Sequence, residues 1–137
     1  EPLLREFNED TVYRFWFYRR YRLKCLTLVQ NTEKLLDARF YVCYGKDPPD
    51  KKESWRKKLD SEKSSQILGF IEKSGFWATT SSIERPEIVT DGFMYDIEAK
   101  DGDRYKEIYC DIMGNAKYSS VCDQLCKKVF SAVGEDL

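Results

Sequence analysis

The side chains of this chain that could do chemistry are five cysteines and a group of carboxylates, since the sequence contains no histidine. Histidine is the side chain whose ordinary pKa lies near neutrality, and it is the commonest metal ligand. Its absence excludes Ser-His-Asp catalysis, Cys-His catalysis and zinc sites that need histidine. Carboxylate, tyrosine, lysine and thiol chemistry remain.

The carboxylates concentrate in residues 93–112, where the sequence predicts a β-hairpin. Asp101-Gly102 is typical of a two-residue type I′ turn, and this turn would place Asp96 opposite Glu107. The polar face of the hairpin would then carry Met94, Asp96, Glu98, Tyr105, Glu107, Tyr109 and Asp111. Cys110 would lie on the opposite, apolar face.

Like charges directly across a ladder destabilise a sheet, so this acidic face requires an opposite charge. Arg14 and Arg39 in the same sheet could supply it as internal ion pairs. A partner protein with a basic surface could supply it instead, because tyrosine is enriched in interfaces and clustered charge speeds encounter. The predicted partner-binding residues are Asp96, Glu98, Tyr105, Glu107, Tyr109 and Asp111.

A third alternative is a small hydrolase or ligand-binding protein that uses paired carboxylates, since two acids suffice for glycoside hydrolysis. Catalytic carboxylates need an enclosed setting that separates their pKa values, which an open sheet face does not provide. The sequence therefore favours a non-enzymatic binding module. A cavity of roughly several hundred Å³ around Asp96, Glu98 or Glu107 would favour the enzyme or ligand-binding protein, and a convex acidic face would favour the protein-binding module.

The cysteines predict a disulfide and no metal site. Cys122 and Cys126 lie four residues apart on a predicted helix, but no second pair at zinc spacing and no histidine accompany them. The last helix should pack on the hairpin face that carries Cys110. We therefore expect a bridge from Cys110 to Cys122 or to Cys126 first, and from Cys25 to Cys43 second. We expect no bound metal and no cofactor.

The elements that must position these groups are strands and two helices. The predicted elements are strands over 11–19, 21–30, 36–44, 93–99 and 104–112, helices over about 60–74 and 118–132, and a charged loop over 45–58. This order predicts one α+β domain, residues 1–137, with a single antiparallel sheet of about five strands (β-β-β-α-β-β-α) and two helices packed on one face. In the first hairpin, a three-residue loop would place Cys25 opposite Cys43. The core side of that hairpin would carry Leu26, Leu28, Ala38, Phe40 and Val42.

Composition narrows the class of protein further. Hydrophobic residues make up 42% of the chain and aromatic residues 15%, which is typical of a folded core, and the net charge of −1 disfavours a nucleic-acid-binding protein. Residues 1–58 carry 14 Lys and Arg against 9 Asp and Glu, whereas residues 59–137 carry 9 against 15. Such halves either satisfy each other or form a dipolar surface. No apolar stretch approaches the roughly 20 residues of a membrane span.

Location is predicted from the cysteine count and from the first residue. Several cysteines favour an oxidising compartment, and a chain that begins at Glu1 is expected to have lost its original N-terminus, either by removal of a signal peptide or by other trimming of the chain. We therefore expect a periplasmic or secreted protein, with the cytoplasm as the alternative.

Residues 70–112 carry a pattern that resembles a group of small uncharacterised bacterial proteins, many of them exported. The pattern consists of Gly75-Phe76-Trp77, then Asp91-Gly92-x-x-Tyr95-x-Ile97-Glu98, and then Tyr105. The resemblance implies a bacterial, periplasmic single domain without an established activity. Together with the acidic hairpin, it favours an interaction protein of the immunity or inhibitor type.

Overall fold

Alternating apolar residues and tight turns fold this chain around one antiparallel sheet. The computed structural model describes residues 11–19, 22–44, 51–79, 93–111 and 116–137. The elements are β1 (Thr11–Arg19), β2 (Arg22–Gln30), β3 (Leu36–Tyr44), β4 (Lys51–Lys58), α1 (Ser61–Lys73), a 3-10 turn (Phe76–Ala78), β5 (Phe93–Asp101), β6 (Arg104–Asp111) and α2 (Ala116–Ala132). The sheet has six strands in the order β4-β3-β2-β1-β5-β6, and all neighbours are antiparallel.

The predicted α+β class is confirmed, and the sheet has one strand more than expected. The extra strand is β4, which lies inside the segment predicted to be a charged loop, so that prediction was wrong for residues 51–58. Trp55 explains the strand, because its ring stacks on that of Phe40 in β3 with 5.3 Å between centroids. The lysines around it are tolerated because β4 is an edge strand, where charge is common.

Both hairpins differ from their predicted pairing by two residues. Cys25 lies opposite Tyr41 in place of Cys43, and the connection between β2 and β3 spans five residues, 31–35. The side chain of Asn31 shapes this turn by accepting hydrogen bonds from the backbone N–H groups of residues 33 and 35. Because side chains alternate with a period of two, a two-residue slip leaves every side chain on its predicted face.

The second turn uses Gly102 and Asp103, and not Asp101 and Gly102, as its central pair. Gly102 has a φ of 61°, while Asp103 is not among the described residues with positive φ. A glycine at the first central position is typical of a type II′ turn, so the predicted type I′ turn was wrong. As a result Asp96 lies opposite Tyr109 and Glu98 lies opposite Glu107.

The apolar face of the sheet packs against both helices and forms the core. Helix α1 begins after Asp60, whose carboxylate caps the helix by accepting a hydrogen bond from the backbone N–H of Lys63 at 2.7 Å. Gly75, with a φ of 84°, follows its end. The buried core side chains include Phe15, Leu26, Leu28, Ala38, Phe40, Val42, Ile67, Ile71, Phe76, Ile97, Ile108, Cys122, Leu125, Val129 and Phe130.

Lys106 is a polar residue on the core side of β6, near the second turn, where it lies opposite Ala99. Its ammonium group donates hydrogen bonds to the backbone carbonyls of Phe76, Trp77 and Thr79. Phe76 and Trp77 belong to the 3-10 turn, and Thr79 follows it directly. Lys106 therefore ties β6 to the end of the α1 region.

The residues after α2 are held against the opposite end of the sheet. Trp55 Nε1 donates to Glu135 Oε1 at 2.7 Å, and Lys57 Nζ donates to the backbone carbonyl of Val133 at 3.0 Å. Lys24 Nζ donates to the carbonyl of Asp136. In the part of the chain that the structure describes, no helix is long and apolar enough to cross a membrane.

Candidate functional site

The second face of the sheet, which we call the outer face, lies opposite the face that packs on the helices. Its described side chains include Arg14, Trp16, Tyr18, Cys25, Thr27, Arg39, Tyr41, Arg56, Met94, Asp96, Glu98, Tyr105, Glu107 and Tyr109. Most of them are polar or aromatic. The outer face therefore holds the predicted site residues and several side chains that the sequence analysis did not assign to a site.

Charge is distributed unevenly across the outer face. One cross-strand row runs from Arg56 and Arg39 through Thr27 and Arg14 to Glu98 and Glu107. The strands from the basic half of the sequence thus meet the acidic hairpin at the contact of β1 with β5. The difference in charge between the two halves of the sequence thus appears on the outer face, with arginines on one side and carboxylates on the other.

Glu98 is the centre of the polar contacts on this face. Its Oε1 lies 3.8 Å from Arg14 Nη1 and accepts a hydrogen bond from Trp16 Nε1 at 3.2 Å. Its Oε2 accepts a hydrogen bond from the Tyr105 hydroxyl at 3.2 Å. Arg14 is 3% exposed and Glu98 is 7% exposed, so the ion pair is removed from water. Burial of this kind is stable only when each charge keeps a partner.

The predicted partner-binding residues separate into buried and accessible groups. Asp96, Glu98 and Tyr109 are each 7% exposed, whereas Tyr105 is 49% exposed and Glu107 is half-buried. The side chain of Asp111 lies outside the described residues. The structure therefore brings the predicted set onto one face, but it leaves only part of the set within reach of another molecule.

Of the two arginines expected to offset the acids, Arg14 lies beside them and Arg39 does not. Arg14 pairs across the ladder with Glu98. Arg39 stands on β3, two strands away from Arg14, and lies opposite Arg56. Within the described residues, the internal ion pair that we considered forms between Arg14 and Glu98.

Asp96, Glu98 and Glu107 are the described residues that could together hold a metal ion. Each offers a carboxylate oxygen, and the three oxygens lie within 4.8 Å of one another. Carboxylate oxygens suit hard cations such as Ca²⁺ and Mg²⁺. Arg14 opposes such a cation, because its guanidinium already supplies positive charge beside Glu98.

The surroundings of Tyr105 keep its hydroxyl protonated. Burial of the hydroxyl raises its pKa well above the ordinary value, and the charges of Glu98 and Glu107 raise it further. At neutral pH the phenol is therefore a neutral hydrogen-bond donor to Glu98. Its ring projects from the sheet while its hydroxyl is fixed.

The described cysteines are not joined to one another. Cys25, Cys43 and Cys126 form no disulfide, so the predicted bridges from Cys25 to Cys43 and from Cys110 to Cys126 were wrong. The two-residue slip explains the first error, since Cys43 lies opposite Leu23. Cys122 is disulfide-bonded, to a sulfur that lies outside the described side chains. The bridge from Cys110 to Cys122 stays a prediction.

Trp16 and Tyr41 are aromatic residues of the outer face that the sequence analysis did not include in the site. Their rings meet edge to face with 6.1 Å between centroids, on either side of Cys25. The alternation of β1 could have placed Trp16 on the same face as Arg14. The missing information was the strand order, which sets Trp16 beside Asp96.

Comparison with known proteins gives no family for this chain. A scan against protein-family models and a search of the curated proteins both found no match. Function is therefore inferred from the geometry of the site itself.

Proposed function

We propose that the protein is a non-enzymatic interaction module, of the immunity or inhibitor type, that binds a partner with a basic surface through the outer face of the β5–β6 hairpin. One observation carries the proposal. Tyr105, the most exposed large hydrophobic side chain among the described residues, is fixed by a hydrogen bond to a buried carboxylate.

A fixed tyrosine suits recognition for energetic reasons. Tyrosine is among the residues that dominate binding energy in interfaces, because its ring gives a large contact area and has few rotatable bonds. The hydrogen bond to Glu98 restricts Tyr105 before any partner arrives, so less side-chain entropy is lost on binding. Tyr105 also stands on β6, an edge strand that a partner can approach from the side.

The acids beneath Tyr105 supply the charge that selects the partner. Glu107 is half-buried on the same face of β6, while Asp96 and Glu98 are buried behind it. Buried carboxylates do not contact a partner directly, but their field extends to the surface and speeds the encounter with a basic protein. The binding residues proposed here are therefore Tyr105 and Glu107, supported by Asp96 and Glu98.

The double variant Y105S/E107K tests this proposal, with Y18S as the matched control. Tyr18 is the other exposed aromatic side chain of the described outer face, at 37%, and it lies on β1. The probes are a lysine-rich peptide, titrated at low and physiological salt, and capture of proteins from the source cells. We expect the double variant to lose at least about tenfold in affinity and Y18S to stay within about twofold.

The stability of each variant is measured by urea unfolding, because a lost fold would also lose binding. Undiminished binding by a folded Y105S/E107K variant would contradict the proposal, and so would equal loss in Y18S.

A second candidate, a ligand-binding protein that uses its carboxylates, is favoured by the convergence of Asp96, Glu98 and Glu107 oxygens. Calorimetric titration with Ca²⁺, Mg²⁺ and Mn²⁺ separates it from the first. If a cation binds saturably to the wild-type protein and this binding is lost in E107Q, the ligand of the site is a metal ion and not a protein partner. No heat of binding in the wild-type protein would remove this candidate.

A periplasmic or secreted location belongs to the same proposal. The bonded state of Cys122 supports it, since stable disulfides form in oxidising compartments.

A further inference from the structure

A groove of about 520 Å³ runs between α1 and α2, on the side of the sheet away from the outer face. Its apolar part is formed by Phe70, Val121 and Leu125. The remaining lining residues are Ser65, Gln66, Gly69, Lys73, Ser74, Gln124 and Lys128. No lining residue is acidic. The volume falls in the range of small-molecule sites.

The charge of the groove comes from two lysines, Lys73 on α1 and Lys128 on α2. Both are exposed, and neither forms an ion pair with another residue of the described ranges. The ammonium group of Lys128 lies 5.8 Å from the centre of the Phe70 ring, so a positive charge stands beside the apolar surface. This arrangement complements a ligand that has an apolar body and a negative group.

Gly69 supplies a second, independent observation. It lies inside α1, where glycine costs a helix about 1 kcal/mol relative to alanine. Its helical φ does not require glycine, and a Cβ atom at this position would meet nothing within 4 Å. The fold therefore gains nothing from the missing side chain at residue 69, whereas the groove gains depth beside Phe70.

We propose that this groove binds a small anionic amphiphile, a molecule with an apolar chain and one carboxylate. The chain would lie over Phe70 and Leu125 in the space left by Gly69, and the carboxylate would pair with Lys73 or Lys128. Charge-assisted hydrogen bonds of this kind fix the orientation of a ligand whose affinity comes mainly from apolar contact. The site is separate from the outer face and does not depend on the function proposed above.

The test uses dodecanoate as the probe. Its binding is measured by calorimetry and by the changes in the backbone amide chemical shifts of α1 and α2. G69L should fill the groove, and K73E/K128E should reverse its charge. K63E/K127E is the matched control, because it reverses two lysines of the same helices that do not line the groove. We expect one molecule of dodecanoate per chain, about tenfold weaker binding in G69L and K73E/K128E, and a change within about twofold in the control.

Dodecyltrimethylammonium, which has the same chain and the opposite charge, should bind at least about tenfold more weakly than dodecanoate. Equal binding of the two detergents, or unchanged dodecanoate binding in a folded K73E/K128E variant, would overturn the proposal. A saturable complex with an acidic peptide but none with dodecanoate would overturn it as well. Thermal unfolding of G69L verifies that loss of binding comes from a filled groove and not from a lost fold.

Discussion

Two consecutive cross-strand pairs of β1 and β5 show how differently the faces of this sheet are built. Phe15 lies opposite Ile97 on the core face, and Arg14 lies opposite Glu98 on the outer face. Phe15 is 0% exposed and Arg14 is 3% exposed, so both pairs are removed from water. Burial of the first pair is favourable in itself. Burial of the second pair costs desolvation energy that its charge interaction at best offsets.

The two faces therefore contribute differently to stability and to specificity. On the core face, side chains of similar shape can replace one another at small cost, because apolar contact has no direction. On the outer face, each charge depends on one particular partner. Removing one member of the ion pair therefore destabilises the fold, because the other charge stays buried without its partner. A buried ion pair of this kind, on the face opposite the described helices, is weak evidence for stability and is compatible with the binding role proposed above.

The largest loss of stability is expected from the core face, at Phe130. This side chain is fully buried and meets the Phe40 ring edge to face, with 6.3 Å between centroids. F130A should lower the free energy of unfolding by about 3–5 kcal/mol, through lost apolar burial and the cavity left behind. Urea unfolding measures the change, and the half-buried Phe70 gives the control variant F70A with a smaller loss. A loss under about 1 kcal/mol at Phe130 would contradict the assignment of the core.

The next largest loss of stability is expected on the outer face, when the charge of Arg14 is removed. Removing the charges of both Arg14 and Glu98 should cost less. R14M should cost about 3 kcal/mol, because it leaves Glu98 buried without its cation. R14M/E98Q should recover much of that loss, since glutamine keeps an acceptor for Trp16 and carries no charge. Equal losses in the single and double variants would mean that the face does not depend on charge pairing.

Alkaline pH should weaken both faces through their tyrosines. Burial raises the pKa of Tyr13 from 10.0 to about 12, with further contributions from the charges of Asp101 and Glu72. The pKa values of Tyr95 and Tyr105 also rise, in both cases mainly because of burial. The folded chain thus holds these protons when the unfolded chain has lost them. Stability is therefore complete below pH 10 and falls as the pH rises toward about 12.

Unfolding curves recorded across this pH range give the measurement. Y13F should remove a larger part of the alkaline loss than Y105F, since the Tyr13 side chain is 3% exposed, whereas Tyr105 is 49% exposed and solvent screens part of its interactions. The same steep loss in both variants would assign the effect to other groups.

The smallest effect on stability is expected from alkylating the thiol of Cys43, which is half-buried on the outer side of β3. In the folded protein Cys43 should react first. Cys25 and Cys126 are buried, and burial raises the pKa of the Cys126 thiol far above its usual value. Iodoacetamide labelling followed by mass spectrometry gives the order.

The same labelling counts the thiols. The unfolded chain should show three thiols without reductant and five with it, because Cys122 is bonded. We expect the linked peptide to join Cys122 to Cys110. Five reactive thiols before reduction would contradict the bond.

The sequence predicted the side of the sheet on which each side chain lies better than it predicted which residues lie opposite each other on neighbouring strands. Face assignment follows from the period of two, so Leu26, Leu28 and Phe40 were placed on the core side correctly although the assumed register was wrong. Helix ends were also predictable, because Asp60 and Gly75 act within a few residues. Register depends on turn geometry, and a turn shifted by one residue moves the pairing by two.

The candidate site was predictable only in part, because it depends on contacts between distant segments. The acidic hairpin is visible in the sequence, but the meeting of Arg14 with Glu98 requires β1 to lie beside β5. β4 escaped detection because its lysines are typical of a loop and Trp55 is its one large apolar residue. The groove between the helices gave no sequence signal apart from the glycine inside α1.

The charged strand β4 also limits how copies of this protein can associate. An edge strand exposes free backbone donors and acceptors, to which a second sheet could add a strand and begin a fibril. Five of the eight residues of β4 are lysine or arginine. Any pairing of two such strands would bring like charges within about 5 Å, so sheets of neighbouring molecules repel each other at this edge. The charges of β4 thereby oppose edge-to-edge association of two copies of this protein through this strand.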